Sequence, residues 1–212
     1  MASHRITRVH GTHVEGDIRW PQRKPQHQRI PVHKKKKAAA SGDATPSKSA
    51  LSRQYVGTMG EHYVMAQMLA RGFNVARAVV DEGIDVIAFK PDKPQFLHRI
   101  QVKTARPTSG GSATSQKFIF TLGKASYEKE GGQDFYLLLV MWDDTNKEFA
   151  SAVIPKQVFD DYVDTKKVID WNAKQQAYQI AVHLHKDGKL TMKNAGGEDV
   201  TQQIKDRWDR IK

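Results

Sequence analysis

The chain has 212 residues, no cysteine, and 34 Lys and Arg against 23 Asp and Glu, a formal charge of +11. That length accommodates one domain of ordinary size plus an appendage, and the lack of cysteine excludes disulfide frameworks, thiolate nucleophiles and Cys-containing zinc sites. No apolar run approaches the roughly 18 residues that span a bilayer, so the expectation is a soluble, cytoplasmic protein, nucleoid-associated or encoded by a phage or mobile element.

The charge is unevenly placed. Residues 1–50 hold 11 Lys or Arg against 3 acids, with Lys34, Lys35, Lys36 and Lys37 in one run. Few large apolar side chains interrupt them, so the segment has little surface to bury against its ordering entropy and is expected to be a disordered basic tail. Such a tail attracts a polyanion, either nucleic acid or an anionic membrane surface, or it serves solubility alone.

Order is expected from about residue 51, in a core spanning 51–162 and an extension over 163–212. Ser52 is a candidate cap for a helix over Tyr55–Arg71, with Gly72 just past its end. Phe73–Val80, Ile84–Lys90 and Phe96–Thr104 are rich in Val, Ile and Phe and read as a three-strand meander, turning at Asp81-Glu82-Gly83 and at Pro91–Pro94. Arg106–Gln116 reads as a Gly/Ser/Thr loop, Phe118–Leu122 as a short strand and Lys124–Glu130 as a short helix. Phe135–Trp142, apolar throughout, suits a central strand covered on both faces, with Phe149–Ile154 beside it and a helix opening at Pro155. Tyr178–Leu184 and Lys189–Met192 flank Asp187-Gly188, a hairpin signal. A last amphipathic helix is expected over Asp199–Ile211, with Val200, Ile204, Trp208 and Ile211 on one stripe.

Three residues sit awkwardly in this scheme. Glu61 shares helical spacing with Val64, Met65 and Met68; burying it needs a metal ion or a charged neighbour, unless it lies at the edge of the apolar arc. Asp85 interrupts the otherwise apolar run Ile84–Phe89, either as a functional carboxylate or as an Asp bonded to a turn amide. In Ile100-Gln101-Val102-Lys103-Thr104, period two sets Gln101 and Lys103 on the face opposite Ile100 and Val102. A meander with the preceding helix packed across it lets all four polar residues converge.

The order Gly60-Glu61 on a helix, Gly83-Ile84-Asp85 on a strand and Gln101-Val102-Lys103-Thr104 on the next resembles the PD-(D/E)XK nuclease superfamily. The resemblance covers residues 53–155 and is strongest over 57–104. It is most similar to the branch with Gln before X-Lys, which includes intron-encoded homing endonucleases, and more distantly to archaeal Holliday-junction resolvases. It implies an α/β, restriction-endonuclease-like core with a mixed central sheet flanked by helices, and a C-terminal hairpin and helix. It also implies a metal-dependent endonuclease hydrolysing DNA: Asp85, Glu61 and Gln101 as oxygen ligands of Mg²⁺ or Mn²⁺, and Lys103 orienting the attacking water or stabilising the transition state. Gln in place of an acid removes one negative charge and weakens the expected cation affinity. Arg106, Lys117 and Lys124 are candidate phosphate contacts, and a homodimer is a natural way to cut two strands. His183 and His185 share one strand face, which reads as solvated. The alternatives are a non-catalytic nucleic-acid-binding protein on the same scaffold, or a protein held at a membrane surface by its tail.

Overall fold

The structure is a computed structural model and describes residues 53–79, 83–129, 134–194 and 196–212. The basic tail with Lys34–Lys37 and the cap at Ser52 lie outside the described residues. Helix α1, Arg53–Leu69, buries Val56, Gly60, Val64 and Met68. Its end is as the sequence predicts: Gly72, at φ +78°, lets Phe73 N donate to Met68 O at 3.1 Å and Gly72 N to Leu69 O at 2.9 Å, closing the last carbonyls.

Sheet 1 has the order β1-β2-β3-β6-β7. It comprises β1 (Asn74–Arg77), β2 (Val86–Lys90), β3 (Lys93–Ala105), β6 (Phe135–Asp143) and β7 (Glu148–Pro155). The β3–β6 pair is parallel and the other three are antiparallel, so the central sheet is mixed as expected. β6 is buried at eight of its nine positions, which explains its unbroken apolar run: side chains of both faces are covered.

Period two divides those covers. Val86, Ala88, Ile100, Val102, Leu138 and Val140 pack with Val64 and Met68 of α1. Leu137, Leu139 and Met141 pack on the other side, against Phe118, Phe120, Ile180 and Val182. Those last residues belong to a second, antiparallel sheet of order β11-β10-β9-β5-β4, with β8 also paired to β9. Its strands are β4 (Thr108–Ser112), β5 (Ser115–Gly123), β8 (Asp170–Asn172), β9 (Ala177–His185), β10 (Leu190–Met192) and β11 (Glu198–Asp199). Sheet 1 therefore carries a helix on one face and a sheet on the other. Helices α2 (Lys124–Lys129) and α3 (Lys156–Asp164) complete the connections. Residues 163–212 share both sheet and core with the rest, since β9 pairs with β5 over nine positions.

Two sequence expectations are corrected. The loop over Arg106–Gln116 is instead a hairpin. All five β4 residues are exposed, so no hydrophobic alternation announces the strand; backbone pairing to β5 and Thr108 Oγ1 donating to Lys117 O at 3.2 Å hold it. The Asp199–Ile211 helix is one short helix, α4 (Thr201–Ile204), followed by a 3₁₀ turn at Trp208–Arg210. Val200 and Ile204 fill the core between the sheets, whereas Trp208 and Ile211 fill the core under α1. A straight helix cannot serve both faces of sheet 1. The chain instead pairs Lys205 with Ala152, turns at Asp206 with φ +50°, and fixes that turn through Ser151 Oγ donating to Asp206 Oδ1 at 2.6 Å.

Two buried histidines tie stability to pH, and the burial of His183 corrects the reading of its strand face as solvated. His183 is 5% exposed with both ring nitrogens unpartnered among the described residues. Burial, then the charges of Lys117 and His185, push its pKa below the ordinary value. Burial also lowers His98, which packs edge-on against Phe73 and Tyr136. Folded His183 and His98 thus bind protons less readily than in the unfolded chain. Stability is fully present above the unfolded value near 6.5 and falls as pH drops below it, by at most about 1.4 kcal/mol per pH unit for each histidine. Chemical denaturation at pH 7.5 and 5.5 is expected to show this loss, and His183→Phe to reduce it; equal stability at both pH values refutes the assignment.

Candidate active site

Asp85 lies just before β2, after Gly83, whose φ of +95° and close fit against Ser126 of α2 favour glycine in this turn. Two bonds then pin Asp85 to β3. Its N–H donates to Ile100 O at 2.9 Å, and its Oδ2 accepts from Val102 N at 2.6 Å. The carboxylate continues the ladder where the β2 backbone leaves it, and the two bonds bracket Gln101. The amide that the Asp85 carboxylate meets belongs to β3 and not, as the turn-amide alternative has it, to the turn at Gly83.

Gln101 is 2% exposed, and its Oε1 is buried without a hydrogen-bond partner among the described residues. A buried acceptor oxygen without a partner is costly unless something electropositive meets it. Lys103 follows two residues on, about 7 Å along the same face at ~3.3 Å per residue. It is half-buried, with no ion pair to any described residue. Asp85, Gln101 and Lys103 are thus held on adjoining backbone.

Glu61 comes from α1 to the recess that Asp85 lines, which neither Gln101 nor Lys103 borders. It sits beside the buried Val56-Gly60-Val64-Met68 stripe rather than within it, its side chain 18% exposed, and Arg77 of β1 meets it at 2.8 Å. Of the two resolutions open to this carboxylate, a charged neighbour is the one observed. Glu61, Arg77, Ile84 and Asp85 line a shared recess of about 190 Å³. Arg77 went unnoticed in the sequence because nothing local to Asn74–Arg77 marks it; only the packing of α1 on β1 brings it to Glu61. Among the described residues no three His, Asp or Glu side chains gather into a metal-binding group, so a cation here would rely on two carboxylates and the amide oxygen.

The approach of α1 to β3 depends on Gly60, where a Cβ would collide with Thr104 Oγ1. Gly60→Ala is expected to destabilise the fold by about 1–3 kcal/mol despite alanine's better helix propensity. Thr104 Oγ1 makes no hydrogen bond among the described residues, so adding Thr104→Ala, which removes Oγ1 and Cγ2 but leaves Cβ 2.9 Å from the new methyl, is expected to recover part of that loss. Denaturation of the two single variants and the double variant forms the cycle, and strict additivity would refute the contact.

The candidate phosphate contacts do not form one cluster. Arg106 Nε lies 3.1 Å from Asp144 Oδ2, an ion pair without hydrogen-bond alignment. Lys124 pairs with Glu128 at 3.3 Å, and Lys117 lies across the outer face of sheet 2 from His183. Arg53, which sequence reading passed over, shares a 540 Å³ cleft with Arg106, Thr104 and Thr108. No helix among the described residues is long and apolar enough to cross a membrane.

No family model matches the chain, and no curated protein does. Among solved structures it is similar to the bacterial homing endonuclease I-Ssp6803I, at 16% identity and a TM-score of 0.46, over 76% of this chain and 91% of that one. It is also similar to Hjc, a Holliday junction resolvase from the archaeal hyperthermophile Archaeoglobus fulgidus, at 13% identity and a TM-score of 0.37, over 69% of this chain and 93% of that one.

Proposed function

We propose that the chain is a divalent-cation-dependent nuclease that hydrolyses DNA phosphodiester bonds at Asp85, Gln101, Lys103 and Glu61. One observation carries the reading: the backbone N–H and the carboxylate of Asp85 bracket Gln101, whose buried Oε1 has no hydrogen-bond partner among the described residues. Carboxylate and carbonyl oxygens are the donors that hard cations prefer, so Asp85 and Gln101 fit Mg²⁺ or Mn²⁺, with Glu61 available through water or on release from Arg77. A cation bound there supplies positive charge to the phosphoryl oxygens as negative charge grows on them. Asp85 holds its carboxylate in place through Val102 N–H. Lys103, without an ion pair among the described residues, offers its ammonium to the attacking water or the scissile phosphate. The Gly60–Thr104 contact sets the depth at which α1 carries Glu61.

A second reading is favoured by the Glu61–Arg77 pair, which already neutralises one carboxylate: a protein that binds nucleic acid without cutting it. Incubation of wild type and Lys103→Ala with labelled duplex, single-stranded, flap and four-way-junction DNA and with RNA, with Mg²⁺, Mn²⁺ or chelator, separates the two. Cation-dependent cleavage by wild type and loss in the variant supports the nuclease; binding unaffected by chelator with no cleavage of any substrate supports the second reading.

A further inference from the structure

A cavity lies at the far end of β2 from Asp85. Lys90 stands five positions on from Asp85, about 17 Å of extended strand. The cavity measures 670 Å³ and is bounded by the end of α1, the β2–β3 hairpin and residues 208–212, within the size range of small-ligand sites. Its walls are aromatic: Phe73, Phe96, His98 and Trp208. Phe73 and Trp208 are buried, whereas Phe96 stands 56% exposed. A large aromatic side chain open to water at the rim of a cavity offers a stacking face that the fold itself does not use.

Cations accompany the rings. Lys90 Nζ lies 4.8 Å from the Phe73 ring centroid and the Arg71 guanidinium 5.0 Å from that of Trp208. Lys93 and Lys212 add two further positive charges. Of the two carboxylates in the lining, Asp209 is taken up by Arg207 at 2.7 Å, leaving Asp92 against four basic side chains. The field in the cavity is therefore positive, and its surface pairs apolar π-faces with mobile ammonium groups.

We infer that this cavity holds one nucleotide unit, its base stacked on Phe96 and its phosphate met by Lys90, Lys93 and Lys212. A base without a phosphate leaves the lysines idle; a phosphate without a base leaves Phe96 in water. The joint requirement selects a nucleotide, whether free or as part of an unpaired strand, over inorganic phosphate or duplex DNA, whose bases are already stacked. The site needs neither Asp85 nor a divalent cation.

Trp208, in the cavity wall, reports on occupancy. The full-length chain is titrated in chelator with thymidine monophosphate, an eight-residue oligothymidylate, a blunt duplex and inorganic phosphate, and tryptophan emission is followed. Quenching by the monophosphate or the oligonucleotide is expected, the stronger of the two telling whether the unit is bound free or in a strand. Trp208→Phe should remove that signal, Phe96→Ala should weaken binding about tenfold or more, as for loss of one stacked base, and Lys93→Glu should weaken it and flatten its salt dependence. Phe96 and Lys93 are both exposed, so neither variant threatens the fold. The inference is overturned if neither ligand changes Trp208 emission, if inorganic phosphate or blunt duplex does so equally well, or if Phe96→Ala binds like wild type. Because chelator is present throughout, a failure of the nuclease reading leaves this result untouched.

Discussion

Asp85→Asn is expected to lower cation-dependent DNA cleavage by about three orders of magnitude, the scale of removing a preorganised charge-stabilising group, while the fold survives nearly intact. The separation follows from the two tasks of this side chain. Asp85 Oδ2 accepts from Val102 N at 2.6 Å, a structural bond that asparagine can still make through its amide oxygen. The negative charge, which that bond does not require, is what a cation needs. Asp85→Ala removes both and leaves the Val102 N–H without its acceptor, adding a stability loss of about 1–3 kcal/mol. Single-turnover cleavage and chemical denaturation measured on both variants distinguish the roles: cleavage lost in both, stability lost mainly in alanine. An Asp85→Asn protein that cuts at the wild-type rate would remove Asp85 from the site.

Most of what positions this site was legible in the sequence because it is local. The helix end at Gly72, the alternation through Ile100–Thr104 and the isolated Asp85 follow from backbone sterics and period-two or period-3.6 patterning, and the structure sets α1, β2 and β3 in that order. What escaped was decided by tertiary packing. β4 bears no apolar residue and exists through its pairing with β5. The 199–211 segment has flawless helical spacing, yet its four apolar residues are divided between two cores, and packing overrode the pattern. Arg77 is one of many arginines until α1 packs beside β1. The cover of the second face of sheet 1 was hidden for the same reason: β5 and β9 meet from positions some sixty residues apart.

Gln101→Glu gives the sharpest test of whether a cation belongs beside Asp85, because its outcome should change sign with the ion. Gln101 is almost fully buried and its Oε1 has no partner among the described residues. A second carboxylate placed there, next to Asp85, costs several kcal/mol in the absence of a counter-ion or remains protonated. In chelator, the variant's Tm is therefore expected to fall by roughly 5–10 °C, as for a loss of about 2–3 kcal/mol in a domain of this size. Mg²⁺ or Mn²⁺ should reverse the deficit, since the added charge strengthens a hard oxygen site, and the cation should bind about tenfold or more tightly than to wild type. The reading needs no catalytic assay. Gln101→Leu supplies the opposite limit: if the amide oxygen is merely an unsatisfied core atom, leucine should stabilise the fold and abolish nothing. If it meets a cation, leucine should stabilise the fold in chelator yet erase the stabilisation that Mg²⁺ confers. Gln101→Glu destabilised equally with and without the ion would place the cation elsewhere, because a carboxylate in contact with a divalent ion cannot be indifferent to its removal.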